Sequence, residues 1–298
     1  MIISLQINAD RMDFVNERYA GKFENIVGQK IYPGYNENAD IIVFSGVPKI
    51  GNKVVFMQSL SAGVNHLDFK KIPENIMVSS NADAYSFPVA EHVFALLLSH
   101  LRNICVHDYE IKHGIYQRKK YMTLNNMTIG ILGYGGIGRE VARLGKAFGM
   151  KTIGYGRTEH EDKFLDEFSF DSDYVLKMSD IIVISLPLNK YTEYLIDRKK
   201  LDMMKGNILI NVGRSNIVKK RDMLDFLNAN PEKYFLTDVW WGEPHIEDKI
   251  PENVLITPHM AGGPLINYFD EPLIRAFENV KNFMEGHPKN VVKRDDYI

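Results

Sequence analysis

The chain has 298 residues, 45% hydrophobic and 25% charged, with a formal net charge of −2. That length accommodates two domains of ordinary size, and the near-neutral charge argues against a partner recognised by bulk charge, so no nucleic acid is expected. The single cysteine, Cys105, cannot close an intramolecular disulfide, as expected of a reduced, cytoplasmic compartment.

Met1 is followed by Ile-Ile-Ser-Leu-Gln-Ile-Asn without a basic segment, which reads as a strand rather than a signal peptide. Further strands are expected at Asp40–Ser45, Lys53–Ser59 and Ile76–Ser80, with a helix over Arg11–Ala20. Strands alternating with helical segments predict a small α/β domain with a parallel sheet. The loop Ser61–Asp68 follows a strand, and the backbone N–H groups of Ala62 and Gly63 could hold a carboxylate there. Equally, it could be a plain βα loop with Asp68 capping a turn. A helix buried on several sides is expected from Pro88 to about His107, carrying Glu91, His92 and His100, which read as structural. Its longest apolar run, near Phe94–Leu98, is too short to span a bilayer, so no membrane association is expected. Residues 113–126 read as a surface excursion.

The stretch from Thr128 to Arg157 is strand, glycine turn, helix, strand. Its turn, Gly133-Tyr134-Gly135-Gly136-Ile137-Gly138, has glycines at the GxGxxG spacing. In such a turn the first glycine permits the bend, the second admits a pyrophosphate and the third lets helix and strand pack closely. The phosphate rests on the helix N-terminus. Strands then follow at Asp180–Ser185, Asn207–Asn211, Tyr234–Val239 and Asn253–Thr257, with helical residues reaching Lys205 and again over Asn216–Asn230. Six parallel strands would make a doubly wound Rossmann sheet. The chain leaves through Gly262-Gly263-Pro264 to a helix near Glu271–Glu285.

Arg214, Glu243 and His259 each sit just past a predicted strand end, and so project toward the same sheet edge as the glycine turn. Keto/hydroxy interconversion needs an anchor for a carboxylate, which arginine supplies as a fork. It also needs a group that moves a proton near neutral pH, the task of histidine, with a carboxylate to fix its tautomer. The cofactor choice turns on the second strand's end, Tyr155-Gly156-Arg157-Thr158. An NAD site places a carboxylate there; here glycine takes that place and Arg157 could pair with a 2′-phosphate, so NADP(H) is preferred. NAD(H) remains possible if Arg157 points into solvent and Glu159 serves instead.

These pieces, with Ser61–Asp68, Val89-Ala90-Glu91-His92, Gly130–Gly138, Ser179–Pro187, Met204–Arg214, Asp238–Pro244 and Thr257–Gly262, resemble the D-isomer-specific 2-hydroxyacid dehydrogenase family. The resemblance implies that Arg214 binds the substrate carboxylate, that His259 is the acid/base and that Glu243 pairs with it. Ala62 and Gly63 would contact the same carboxylate. Cofactor contacts are implied for Leu186, Pro187 and Thr192, for Val212 and Gly213, and for Asp238, His259 and Ala261. No metal is implied. It further implies a flavodoxin-like substrate domain (1–92 plus 268–298) interrupted by a Rossmann domain (93–267), within a homodimer. The expected activity is reduction of a small 2-ketoacid or oxidation of the D-2-hydroxyacid. Alternatives are a formate- or phosphite-type dehydrogenase, or a dinucleotide-sensing regulator. Ser215 stands where the family commonly has glycine, Tyr116 near a usual tryptophan, and His245 where an apolar residue is common.

Overall fold

The computed structural model describes residues 1–7, 21–159, 161–247, 249–263 and 270–298; the helix expected over Arg11–Ala20 lies outside them. The chain forms two compact units, Met1–Tyr85 with Pro264–Ile298, and Ser86–Gly263.

The first unit is built on five parallel strands: β1 (Ile3–Gln6), β2 (Ile31–Pro33), β3 (Ile41–Phe44), β4 (Phe56–Ser59) and β5 (Met77–Ser79). Their order, β2-β1-β3-β4-β5, is the flavodoxin-like winding. Strand periodicity divides the side chains between two cores. Ile41, Val43 and Phe56 join the face covered by residues 21–27 (α1) and α8 (Asp270–Met284), where Phe23 stacks on Phe277 at 4.2 Å. Ile42, Phe44 and Met57 join the opposite core with Val64 and Phe69. β2 is an addition to the expected strands. It is an edge strand of three residues, too short for an apolar run to announce it.

The second unit carries seven parallel strands: β6 (Thr128–Leu132), β7 (Lys151–Tyr155), β8 (Glu167–Ser169), β9 (Ile181–Ile184), β10 (Ile208–Asn211), β11 (Tyr234–Thr237) and β12 (Val254–Ile256). The order β12-β11-β10-β9-β6-β7-β8 reverses direction between β6 and β9, leaving a crevice beyond their carboxyl ends. The expected six strands become seven because β8, with the polar-flanked sequence Glu-Phe-Ser, extends the edge. β9 and β10 are buried at every position, as continuous apolar runs in a covered parallel sheet should be.

The helices are α2 (Ser86–Leu101), α3 (Ile104–Lys112), α4 (Gly136–Ala147), α5 (Ser172–Met178), α6 (Arg198–Asp202) and α7 (Lys220–Ala229). Three helical expectations are corrected. The helix expected to run to His107 breaks at Asn103, whose left-handed φ of 51° starts α3. The helical stretch reaching Lys205 shrinks to α6, because the Asn189 side chain accepts the Tyr191 amide in a turn and Asp197 caps the helix only afterwards. The segment from Asn216 begins as a 3-10 turn and becomes α7 only at Lys220. Among the described residues no single helix is long and apolar enough to cross a membrane.

Candidate active site

One aligned row crosses all seven strands at their carboxyl ends: Ser169, Tyr155, Leu132, Ile184, Asn211, Thr237 and Ile256. Because the strands are parallel, every chain segment leaving this row emerges on the same edge. Gly133, Arg214, Glu243 and His259 all do so.

The glycine turn meets its three demands. Gly133 has φ +108°, and a Cβ on it would come within 2.9 Å of the backbone of Ser185 and Leu186. A Cβ on Gly138 would collide with the carbonyl of Gly133 and crowd Ile131. Gly135, between them, has open space where its Cβ would stand. It caps α4 without any side-chain hydrogen bond to the helix's first amides, which stay available to an anion. An open cradle at the middle glycine and closed contacts at the outer two fit a dinucleotide's pyrophosphate.

Glu243 and His259 meet directly. His259 Nδ1 lies 2.7 Å from Glu243 Oε1, while Glu243 Oε2 accepts the Trp240 amide at 3.1 Å. A carboxylate only accepts, so Nδ1 carries the hydrogen and Nε2 is the nitrogen left to exchange a proton. The His259 side chain is 45% exposed, so a substrate can reach it. Arg214 leaves β10, the strand beside β11, through a loop organised by buried Asn211. Asn211 accepts the Gly213 amide at 3.0 Å and donates to the Arg214 carbonyl at 3.0 Å. Gly213 has no room for a side chain, since a Cβ would sit 2.8 Å from the Leu186 carbonyl. The half-buried Arg214 guanidinium donates to Gly213 O at 2.7 Å.

Comparison with known proteins matches residues 94–261 to the profile of the NAD-binding domain of D-isomer specific 2-hydroxyacid dehydrogenases. Glyoxylate reductase of Pyrococcus furiosus is 30% identical over 241 residues, which cover 76% of this chain and 70% of that protein. The chain belongs to the D-isomer specific 2-hydroxyacid dehydrogenase family. Among solved structures, a glycerate dehydrogenase related protein from Thermoplasma acidophilum is 35% identical with a TM-score of 0.70, covering 95% of this chain and 100% of that one. A Pyrobaculum aerophilum protein provisionally named a formate dehydrogenase is 28% identical with a TM-score of 0.83, covering 99% and 100%. This 2-hydroxyacid dehydrogenase is therefore an NAD(P)-dependent oxidoreductase acting on CH–OH donors.

The remaining expected positions lie in two further loops of this unit and, in the first unit taken by itself, in the loop after β4. After β7, Gly156 has no closer neighbour than the Phe168 ring at 3.5 Å to a Cβ, and Arg157, Thr158 and Glu159 are exposed. The same loop returns toward the glycine turn, where Asp162 pairs with Arg139 of α4 and Arg139 lies over the Phe164 ring at 5.3 Å. Burial, reinforced by Asp162, raises the Tyr134 phenol to about 12, so it stays protonated. After β9, Leu186 and Pro187 run beside the glycine turn, and the Thr192 hydroxyl donates to Pro187 O at 2.6 Å. Val212 and Ala261 are buried. In the first unit, Ala62 and Gly63 follow β4 in a loop tied by the Ser61 amide to Ser59 Oγ at 3.0 Å. Asp68 accepts the Lys70 amide at 3.2 Å and sits 3.2 Å from Lys71 Nζ, whose hydrogen bond holds its carboxyl below the usual range.

Two residues take a part that the sequence did not announce. Asp238 is buried, and both its oxygens accept from the turn around His259: Thr257 Oγ1 at 2.6 Å, Met260 N at 2.9 Å and Ala261 N at 2.8 Å. The family resemblance marks Asp238 as a cofactor neighbour and does not show this bracing. His92 of α2, read as structural, reaches Thr257 Oγ1 at 2.8 Å. No local pattern announces a partner 165 residues away.

Proposed function

We propose an NADP(H)-preferring reductase of a small 2-ketoacid of the glyoxylate or hydroxypyruvate class, able to run in reverse on the D-2-hydroxyacid. The observation that carries this reading is the 2.7 Å bond between His259 Nδ1 and Glu243 Oε1 on the edge shared with Arg214 and the glycine turn. A nicotinamide cofactor held at the glycine turn would supply the hydride for C2 in reduction and accept it in oxidation. Arg214 holds the substrate carboxylate as a fork and draws charge from the neighbouring carbonyl. In reduction, protonated His259 gives its Nε2 proton to the new alkoxide, leaving a neutral ring. In oxidation the Nε2 lone pair takes the hydroxyl proton, and Glu243 holds the resulting imidazolium through Nδ1–H. Formate oxidation gives no task to this pair, because removing hydride from formate yields carbon dioxide directly and no proton has to move.

The preference for NADP(H) is supported by the residues after β7. Glycine stands where a carboxylate would repel a 2′-phosphate, Arg157 follows it, and Asp162 in the same loop is neutralised by Arg139. A homodimer is supported by α3, which buries no residue, and by the exposed Ile104, Tyr109, Ile111, Tyr116 and Tyr121 on it and after it. Exposed large apolar and aromatic residues of this kind suit a second copy of the chain. Light scattering on the purified protein checks this, with a monomeric mass at micromolar concentration counting against it.

The decisive experiment is steady-state oxidation of NADPH and NADH against a panel of 2-ketoacids, with formate oxidation alongside. NADPH-linked turnover of a small 2-ketoacid is expected. Turnover of formate alone, or none at all, would sink the reading, and a preference for NADH would remove Arg157 from its role.

A further inference from the structure

His259 holds a left-handed backbone, φ 52°, at a cost of about 1–2 kcal/mol for a residue with a Cβ. The turn around it needs support from outside, and Asp238 supplies the near half. The far half is His92. Its Nε2 lies 2.8 Å from Thr257 Oγ1 and 3.6 Å from Asp238 Oδ1, and its side chain is 17% exposed.

Counting protons fixes the direction of these bonds. Asp238 can only accept, so the one hydroxyl proton of Thr257 goes to Oδ1 at 2.6 Å. The Thr257 oxygen must then accept from His92, and Nε2–H is the donor. Without that donor the hydroxyl has another acceptor within reach, the Thr237 carbonyl at 3.5 Å. If it turned there, Asp238 Oδ1 would keep only the Met260 amide.

We propose that His92 is a positioning residue for His259, acting through Thr257 and Asp238. It ties α2 to the turn that aims the His259 ring, and it rests on the reading of His259 as the group that moves the proton. His92 touches no reacting atom. Its effect should appear in the chemical step rather than in binding of cofactor or ketoacid.

The test compares His92→Phe, which fills the space without a donor, with His92→Gln, which keeps an N–H at similar reach. In His92→Phe, hydrogen exchange at the Met260 and Ala261 amides should quicken about tenfold and kcat should fall about tenfold, the worth of one hydrogen bond. The ketoacid KM and the dissociation constant for NADPH should stay within about twofold. Glutamine should restore most of both losses. In a His259→Gln background, His92→Phe should cost nothing further, because it acts only through that ring. Thr257→Val should reproduce the pattern and serves if His92→Phe does not fold. Unchanged amide exchange, equal behaviour of Phe and Gln, or a kcat loss that adds in full to that of His259→Gln would overturn the proposal. A wild-type protein that reduces no 2-ketoacid would instead sink the functional reading, and the exchange rates would still decide whether His92 holds the turn.

Discussion

The carboxyl edge of the seven-stranded sheet is built on two opposite principles. Beyond β6 the site is made by what is missing: three glycines create a bend, an opening and a close contact. Beyond β10, β11 and β12 it is made by side chains that find one another across strands. Glu243 meets His259, Asp238 braces the turn, and Asn211 shapes the loop of Arg214. The first kind of site can hold an anion but moves no proton. The second can do chemistry, but only while several separate contacts keep their geometry. A substitution should therefore damage the first through backbone sterics and the second through protonation and aim.

The largest expected effect tests the side-chain half. His259→Gln should lower kcat by ~100-fold or more while leaving the melting temperature nearly unchanged, since the ring is 45% exposed. Near-normal turnover would show that the proton travels by another route. Gly138→Ala tests the backbone half. The added methyl drives into the Gly133 carbonyl, and we expect a loss of about 1–3 kcal/mol of stability together with weaker binding of either nicotinamide cofactor. A variant that melts and binds like the parent would mean that the turn yields freely. The contrast itself fails if His259→Gln proves the more destabilising of the two.

Arg157→Ala sharpens the comparison at the outer rim of the backbone half, where a single side chain is added to a site otherwise made of amides. Losing one charge-assisted contact should raise the NADPH dissociation constant about tenfold and leave that for NADH unchanged, as read by fluorescence titration. Equal losses for both cofactors would place Arg157 on the shared part of the dinucleotide.

The same contrast explains what was legible in the sequence. Glycine spacing reports a local demand, so the turn at 133–138 could be placed without the fold. The buried runs of β9 and β10 were equally plain, because a covered parallel strand is apolar at every position. The edge strands β2 and β8 carry no such run, having a neighbour on one side only. Arg214, Glu243 and His259 could be seen as strand-end charges, whereas their geometry depended on residues without any signature of their own. Asn211, Thr257 and His92 are ordinary residue types whose work is fixed by partners elsewhere in the chain. Asn189 and Asp197 show the same limit in local structure, since a side-chain bond to the backbone decided where α6 begins.

The smallest expected effect lies at the opposite end of β11. His100 of α2 packs against Tyr234, the first residue of that strand, with ring centroids 4.2 Å apart. Burial lowers its pKa below the ordinary histidine value of 6.5, so the folded unit prefers the ring neutral. The unfolded chain binds that proton more readily, so the stability linked to His100 is complete above 6.5 and is lost as the pH falls below it. His100→Phe keeps a ring against Tyr234 and removes the titration. Its unfolding free energy should decline less than the parent's between neutral and mildly acidic pH, as measured by urea denaturation at several pH values. Parallel declines in the two proteins would remove His100 from the acid response. Turnover per folded molecule should keep the parent's pH dependence, because His259, the proposed proton carrier, follows the other edge of the sheet. If His100→Phe altered that dependence, the two ends of β11 would be coupled.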